Sequence, residues 1–133
     1  MYLLLNVLSN GWFVFVITGT ALVLSLTTWY SATAVIPELT KLMSLSLSQA
    51  TWFTNSVQVG FVIGALIISL FSLLDVYKSS TIMAVSACVA GIANALLMFE
   101  PGVVLSLLSR LITGMALAGI YPTVIKFIAT WFK

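Results

Sequence analysis

The chain has 133 residues, 62% of them hydrophobic and 6% charged, with a formal net charge of +2. A water-soluble domain carries about one quarter charged residues, so this composition excludes an ordinary water-facing surface and makes lipid the expected solvent. The small net charge and the absence of a basic cluster exclude a nucleic-acid partner. There is no histidine, hence no imidazole proton switch near neutral pH. The one cysteine, Cys88, has no partner for an internal disulfide and is expected to be a small buried hydrophobe. No secretory signal is expected: the N-terminus lacks Lys and Arg, and the first apolar run exceeds an h-region of about 7–15 residues.

Residues 1–11 are apolar but interrupted by Asn6, Ser9, Asn10 and Gly11, a turn-forming cluster. They read as a short interfacial lead-in, with an extended first helix as the alternative. From Trp12 to about Val35 no charge occurs. A span needs about 20 apolar residues, so helix 1 is predicted there, over about 12–35. Its second half carries Ser25, Thr27, Thr28, Tyr30, Ser31 and Thr33. Such hydroxyls can bond back to their own backbone, but their density favours a face on other protein or on water. Pro37 and Glu38 are expected to end the helix, leaving a loop with Glu38 and Lys41. Ser46 and Gln49 have capping-box spacing, so helix 2 is predicted from Leu47 to about Leu74.

Helix 2 has two stripes at 100° per residue. Asn55, Gln58, Val62, Ala65, Ser69 and Ser72 form a polar-ended stripe suited to lining a cavity. Ser56, Gly60 and Gly64 lie on roughly the opposite side and suit close helix packing. Asp75, Tyr77, Lys78, Ser79 and Ser80 make a short polar hairpin. Helix 3 follows over about 81–99 with Ser86, Cys88, Gly91 and Asn94, where Gly91 and Ala95 form a second small pair. Glu100, Pro101 and Gly102 read as a tight turn, and helix 4 is predicted over 103–131. The expected fold is therefore all-α and integral to the membrane: a single unit of four transmembrane helices, up-down-up-down, with both termini on one side. Lys78, Lys126 and Lys133 fall on that side, against Lys41, Glu38 and Glu100 on the other. The Lys/Arg balance places the N-terminus in the cytoplasm of an inner or plasma membrane.

Helix 4 carries the residue that most needs an explanation. Arg110 lies inside the hydrophobic span, where a charge costs a few kcal/mol on insertion scales. Ser106, Thr113, Gly114, Leu117 and Tyr121 fall within about 60° of it on a helical wheel. Two readings stand side by side. One is a structural arginine bonded to helix carbonyls and hydroxyls. The other is a cavity cation that meets an anionic substrate or a proton-carrying acid. On the second reading Arg110, Ser106, Thr113 and Tyr121 line a cavity with Thr27 and Tyr30 of helix 1 and Asn55 and Gln58 of helix 2. Pro122 follows Tyr121 and removes a backbone bond, which suits a gating or cavity-lining position. Lys126 falls on the opposite side of the helix and reads as a snorkelling anchor.

Enzyme chemistry is not expected. The sequence has no His, no Cys pair, no phosphate-cradling Gly-Lys-Ser/Thr loop and no paired carboxylates, and no cofactor or metal is expected. All three acids fall at predicted helix ends or in loops. That separates the chain from the small four-helix multidrug exporters, which it resembles in size but which rely on an acid within helix 1.

Three features resemble the N-terminal part of a major facilitator superfamily transporter. The helix 2–helix 3 hairpin occupies the place of the motif G-x-L-a-D-r-x-G-r-r. Leu73 and Asp75 match it, while Phe71, Val76, Lys78, Ser79 and Ser80 depart from it. Helix 4 is similar to l-x-x-x-R-x-x-q-G-x-g-a-a. Arg110 and Gly114 match, Ala116 and Ala118 fit the small positions, and Thr113 stands where Gln is usual. The run "GIYPTVIKFIATWF" is similar to the helix 4 ending of several branches. The resemblance implies secondary transport of a small solute by alternating access, driven by an ion gradient or by exchange. It also implies a cavity lined by helices 1 and 4 and a loop-gating role for Leu73 and Asp75. An anionic solute is preferred, on Arg110 alone. Gly60, Gly64, Gly91 and Gly114 are the expected helix-packing positions.

Members of that superfamily have two halves of about six helices each, and four are predicted here. The expectation is a truncated N-terminal portion, inactive alone, whose partners are the bilayer and either the missing helices or another copy. The alternatives are a small oligomeric four-helix transporter, or a non-transporting membrane protein that binds a partner through "GFVIG" and "GIAN" (Gly91 to Asn94).

Overall fold

The computed structural model describes residues 11–99 and 102–131. The lead-in over residues 1–10, the turn residues Glu100 and Pro101, and Lys133 lie outside them. Four helices make up the fold: α1 (Gly11–Leu42), α2 (Leu47–Leu70), α3 (Ser79–Ala95) and α4 (Val103–Trp131). The structure is all-helical among the described residues, and all four helices, α3 with its 3₁₀ extension, are long and apolar enough to cross a membrane.

α1 does not end before Pro37. It runs through Pro37 and Glu38 to Leu42. Proline removes one backbone bond but does not prevent a helix whose flanks are held by packing. Here Leu39 is buried with Leu45 and Phe53, and Ile36 packs on the same cluster. Glu38 and Lys41 therefore ride on the last turns, where Lys41 also suits the negative end of the helix dipole. The connection is short and includes Ser44 at φ 51°. α2 then starts at the expected capping box. Ser46 N donates to Gln49 Oε1 at 2.9 Å, and Gln49 N donates to Ser46 Oγ at 3.3 Å. A cap of this kind contributes about 1 kcal/mol.

α2 stops at Leu70, four residues before the predicted end. Ser72 adopts φ 48°, a left-handed conformation that breaks the helix. Leu73–Val76 form one isolated turn. α3 begins at Ser79, two residues early, and its last predicted turn is a 3₁₀ segment, Leu96–Phe99.

α4 is the hub. Its middle is buried almost all round, from Ala116 to Ile120, and it shares a core with Val57 of α2 and Ala90 of α3. The α2–α4 seam is backbone against backbone. A Cβ on Gly60 would overlap the Leu111 carbonyl, one on Gly64 the Met115 carbonyl, and one on Gly114 the Val57 carbonyl. Because 60 meets 111 and 64 meets 115, the two helices advance in the same direction. α3 runs against α4, with Ser109 level with Ala93 and Gly119 level with Ser86. α1 lies outermost, with few buried residues.

Two sequence expectations need correction here. Gly91 is not a packing glycine: nothing lies within 4 Å of a Cβ built on it. The face of α3 that meets α4 carries Ala90 and Ala93 instead, about one position round the helix. Cys88 is exposed rather than buried in protein; in an apolar solvent a thiol needs no protein cover. Of the two α2 stripes, the small one packs and the other points outward, with Gln58, Val62, Ser69 and Ser72 exposed and Asn55 and Ala65 half-buried.

The two classes of glycine make a direct test. Gly60→Ala should lower stability by about 2–3 kcal/mol through overpacking against backbone that cannot yield. Gly91→Ala should leave it unchanged or raise it by up to about 1 kcal/mol. Reversible unfolding in mixed detergent micelles reads both; equal effects would contradict the seam.

The buried Arg110 network as candidate functional site

Arg110 stands seven residues into α4, which is about 10 Å along the axis at 1.5 Å per residue. The glycine seam fixes what it meets. Gly114 lies against Val57, so one turn earlier on each helix Arg110 is level with Phe53. Its side chain is fully buried. Nε donates to the Phe53 carbonyl at 3.5 Å, a long contact. Nη1 donates to the Thr28 carbonyl at 3.0 Å and to Asn94 Oδ1 at 2.8 Å. Nη2 donates to the Trp29 carbonyl at 2.6 Å. One guanidinium thus joins α4 to α1, α2 and α3.

Every one of these acceptors is neutral. Among the described residues the one ion pair is Lys126 with Asp75, so no carboxylate compensates Arg110. Carbonyl oxygens with a spare lone pair and one carboxamide carry the whole charge. A guanidinium suits this because its donors spread in a fixed planar fork. The Ser31 hydroxyl completes the cluster, within reach of both the Thr28 carbonyl at 2.9 Å and Asn94 Oδ1 at 3.0 Å.

The residues proposed to line one cavity divide into two groups. Ser106, Arg110 and Thr113 are fully buried inside the bundle, and the Thr113 hydroxyl donates to the Ser109 carbonyl at 2.9 Å. Thr27, Tyr30, Gln58 and Tyr121 are exposed, and Asn55 is half-buried. Tyr121 borders a pocket of about 130 Å³ with Ser25, Trp29 and Phe61, away from the guanidinium. Thr27 and Tyr30 border a separate shallow groove on α1. Of the two readings of Arg110, the geometry matches the structural arginine. The cavity-cation reading placed it on an open wall, but residues flanking it on α4 pack on α2 and α3.

The α1 hydroxyls also divide. Ser25, Thr27 and Thr28 bond back to the carbonyls of Ala21, Leu24 and Ser25 at 2.6–2.7 Å. Ser31 reaches Asn94, and Thr33 Oγ1 lies 3.1 Å from Thr54 Oγ1. Thr54 and Phe61 of α2 meet Thr33 and Trp29 of α1, the latter pair edge-on with centroids 5.3 Å apart. Gln58 lies between Thr54 and Phe61 on α2. Thr33, Thr54 and Gln58 therefore edge a polar seam between α1 and α2, while Thr27 and Tyr30 face outward on α1.

Leu73 is half-buried and Asp75 exposed. Lys126 is not a free anchor. Its Nζ donates to Asp75 Oδ1 and to the Leu74 carbonyl, each at 2.6 Å, tying the α2–α3 turn to α4 beyond Pro122. Both side chains are well exposed, so the pair contributes at most about 1 kcal/mol. Asn94 is the functional residue that sequence reasoning left out of the site. The signal available was its place as the one carboxamide in the third span. Its meeting with Arg110 depends on the antiparallel register of α3 and α4, which spacing alone does not reveal.

Compared with family models, curated proteins and solved structures, the chain matches none.

A charge without a counter-charge gives an unusual order of mutational effects. Arg110→Lys keeps the desolvated charge, but a single ammonium cannot reach all four acceptors. It should lower stability by about 3–5 kcal/mol, the cost of a buried charge left poorly paired. Arg110→Met removes the charge along with the bonds and should cost less. Unfolding in detergent measures both, and a lysine variant more stable than the methionine variant would refute this account.

Proposed function

We propose that this chain is part of a secondary transporter of the major facilitator kind, moving a small solute by alternating access. In this reading the four helices run up-down-up-down as the leading part of an N-terminal half, in an inner or plasma membrane with the N-terminus cytoplasmic. The similarity of the Arg110–Gly114 run, of the Leu73–Asp75 turn and of the ending around Tyr121 and Pro122 supports it, as do their order and spacing over four spans. The orientation rests on Lys78 and Lys126 lying at one end of the bundle and Lys41 at the other.

The observation that carries the reading is the polar surface that α1 and α2 leave uncovered, at Gln58 beside their seam and at Tyr30 on the outward face of α1. Tyr30 is 66% exposed and Gln58 is exposed, and none of the other described helices covers them. Leaving such groups unbonded in hydrocarbon costs roughly 2–7 kcal/mol each. A face of this kind suits a water-filled path or another protein surface. Behind it Arg110 holds the α1 and α2 backbones in place, so the arginine acts as a post for the wall. Its uncompensated positive charge favours an anionic solute. The helices that would close the path from the other side come from outside the four described here. A second copy of the chain covering the same surface gives the alternative, a small oligomeric transporter. A non-transporting protein that binds a partner through the same faces predicts partner binding that survives Arg110→Ala.

Thiol labelling tests this surface, since maleimides react with thiols that water can ionise. In a Cys88→Ser background, Tyr30→Cys and Gln58→Cys should react with a water-soluble maleimide, and the lipid-facing Leu108→Cys should not. Lys41→Cys should label in intact cells and Lys78→Cys only after permeabilisation. Protection of both positions to the level of Leu108→Cys would remove the water-lined path. In liposomes the 133-residue chain alone should show little or no solute uptake; robust flux by it would overturn the need for further helices, and cross-linking to a defined oligomer would then favour the alternative.

A further inference from the structure

The Arg110 cluster has an outer end. An open groove of about 290 Å³ runs between α1 and the end of α3, lined by Ser31, Val35, Leu39, Asn94, Leu97 and Met98. Its walls are apolar, and its polar groups are Ser31 and Asn94. These are the two side chains that contact the Arg110 network from outside.

The orientation of the Asn94 amide is set by the guanidinium. Nη1 can only donate, so the atom 2.8 Å away must be the carboxamide oxygen. That oxygen also lies 3.0 Å from the Ser31 hydroxyl, whose single proton has the Thr28 carbonyl as its other acceptor. The amide nitrogen is thereby turned away from the network. It makes no hydrogen bond among the described residues and is not fully buried, and Asn94 is one of the residues that line the groove. Its two N–H donors are polarised by the positive charge bonded to the oxygen of the same amide. The groove therefore presents a polarised amide beside the buried guanidinium, between apolar walls.

We propose that this groove binds a small carboxylate carrying a short apolar chain. The carboxylate accepts from the Asn94 amide nitrogen and supplies the counter-charge that Arg110 lacks within the chain. The apolar chain lies along Val35, Leu39, Leu97 and Met98 toward the membrane end. The open groove, about 290 Å³, has room for a short-chain carboxylate. The proposal rests on the transport reading and narrows its solute class, but binding is read without flux, so either can fail alone.

The test uses the whole 133-residue chain in phosphatidylcholine nanodiscs, with carboxyl-labelled hexanoate followed by ¹³C NMR. Hexanoate should bind saturably, and hexylamine should not. Asn94→Asp keeps acceptors for Arg110 and Ser31 but neutralises the charge and removes the donors. It should weaken hexanoate about tenfold or more, the loss of a charge-assisted contact, with the fold retained by circular dichroism. Met98→Trp fills the groove without touching the network and should also abolish saturable binding. Hexanoate binding unchanged in both variants, saturable hexylamine binding of equal strength, or only non-saturable partitioning of hexanoate would each overturn the proposal.

Discussion

A guanidinium in a low-dielectric bundle must find acceptors for its donors, and here it finds them on three other helices. That requirement constrains most of the structure. The carbonyls of Thr28 and Trp29 already belong to the α1 helix ladder and accept the arginine with a second lone pair, as does Phe53 in α2. Secondary structure is therefore not sacrificed to hold the charge. What must be exact in register is the approach of the helices, because a shift of one residue moves each carbonyl by about 100° round its helix. Lipid supplies no hydrophobic force to bring helices together, so the approach has to come from close packing and polar bonds.

The glycine seam supplies the packing part. With no side chains between them, α2 and α4 touch through backbone at Gly60, Gly64 and Gly114, and this sets the level of Phe53 against Arg110. The polar part then recruits α1, which has few buried side chains of its own. α1 is held to the bundle where Arg110, Asn94 and Thr54 meet its polar residues and backbone, where Trp29 packs on Phe61, and at its end where Leu39 and Ile36 pack with Phe53. The two halves of the sequence pattern, small residues on one face of α2 and an arginine on α4, are thus parts of one device.

Much of this was legible in the sequence and some was not, for definite reasons. Four spans followed from the apolar runs, and the α2 start followed from Ser46 and Gln49, because capping is local chemistry. The packing role of Gly60 and Gly64 followed from spacing. The same spacing argument failed at Gly91: a small residue permits close approach but does not choose the partner, and α4 lies against Ala90 and Ala93. The end of α1 was misplaced at Pro37 because a tertiary cluster around Leu39 outweighs one lost backbone bond. For Arg110 the wheel identified its neighbours on α4 correctly but could not tell an open face from one covered by α2 and α3. The Arg110–Asn94 bond and the Lys126–Asp75 pair join residues whose meeting is decided only by helix register.

The placement of the charge bears on how a path beside it could work. An arginine exposed in a cavity would attract an anion directly and bind it through a short contact, making release costly. An arginine behind a wall acts through its field and through one polarised amide, which gives weaker and more easily reversed binding. Transport needs a site that fills and empties within each cycle, so the second arrangement suits it better. It also separates two tasks that a single exposed arginine would combine. In the proposed transport cycle the guanidinium would stay bonded to α1, α2 and α3, while Asn94, whose oxygen it anchors, would offer its amide nitrogen to the solute.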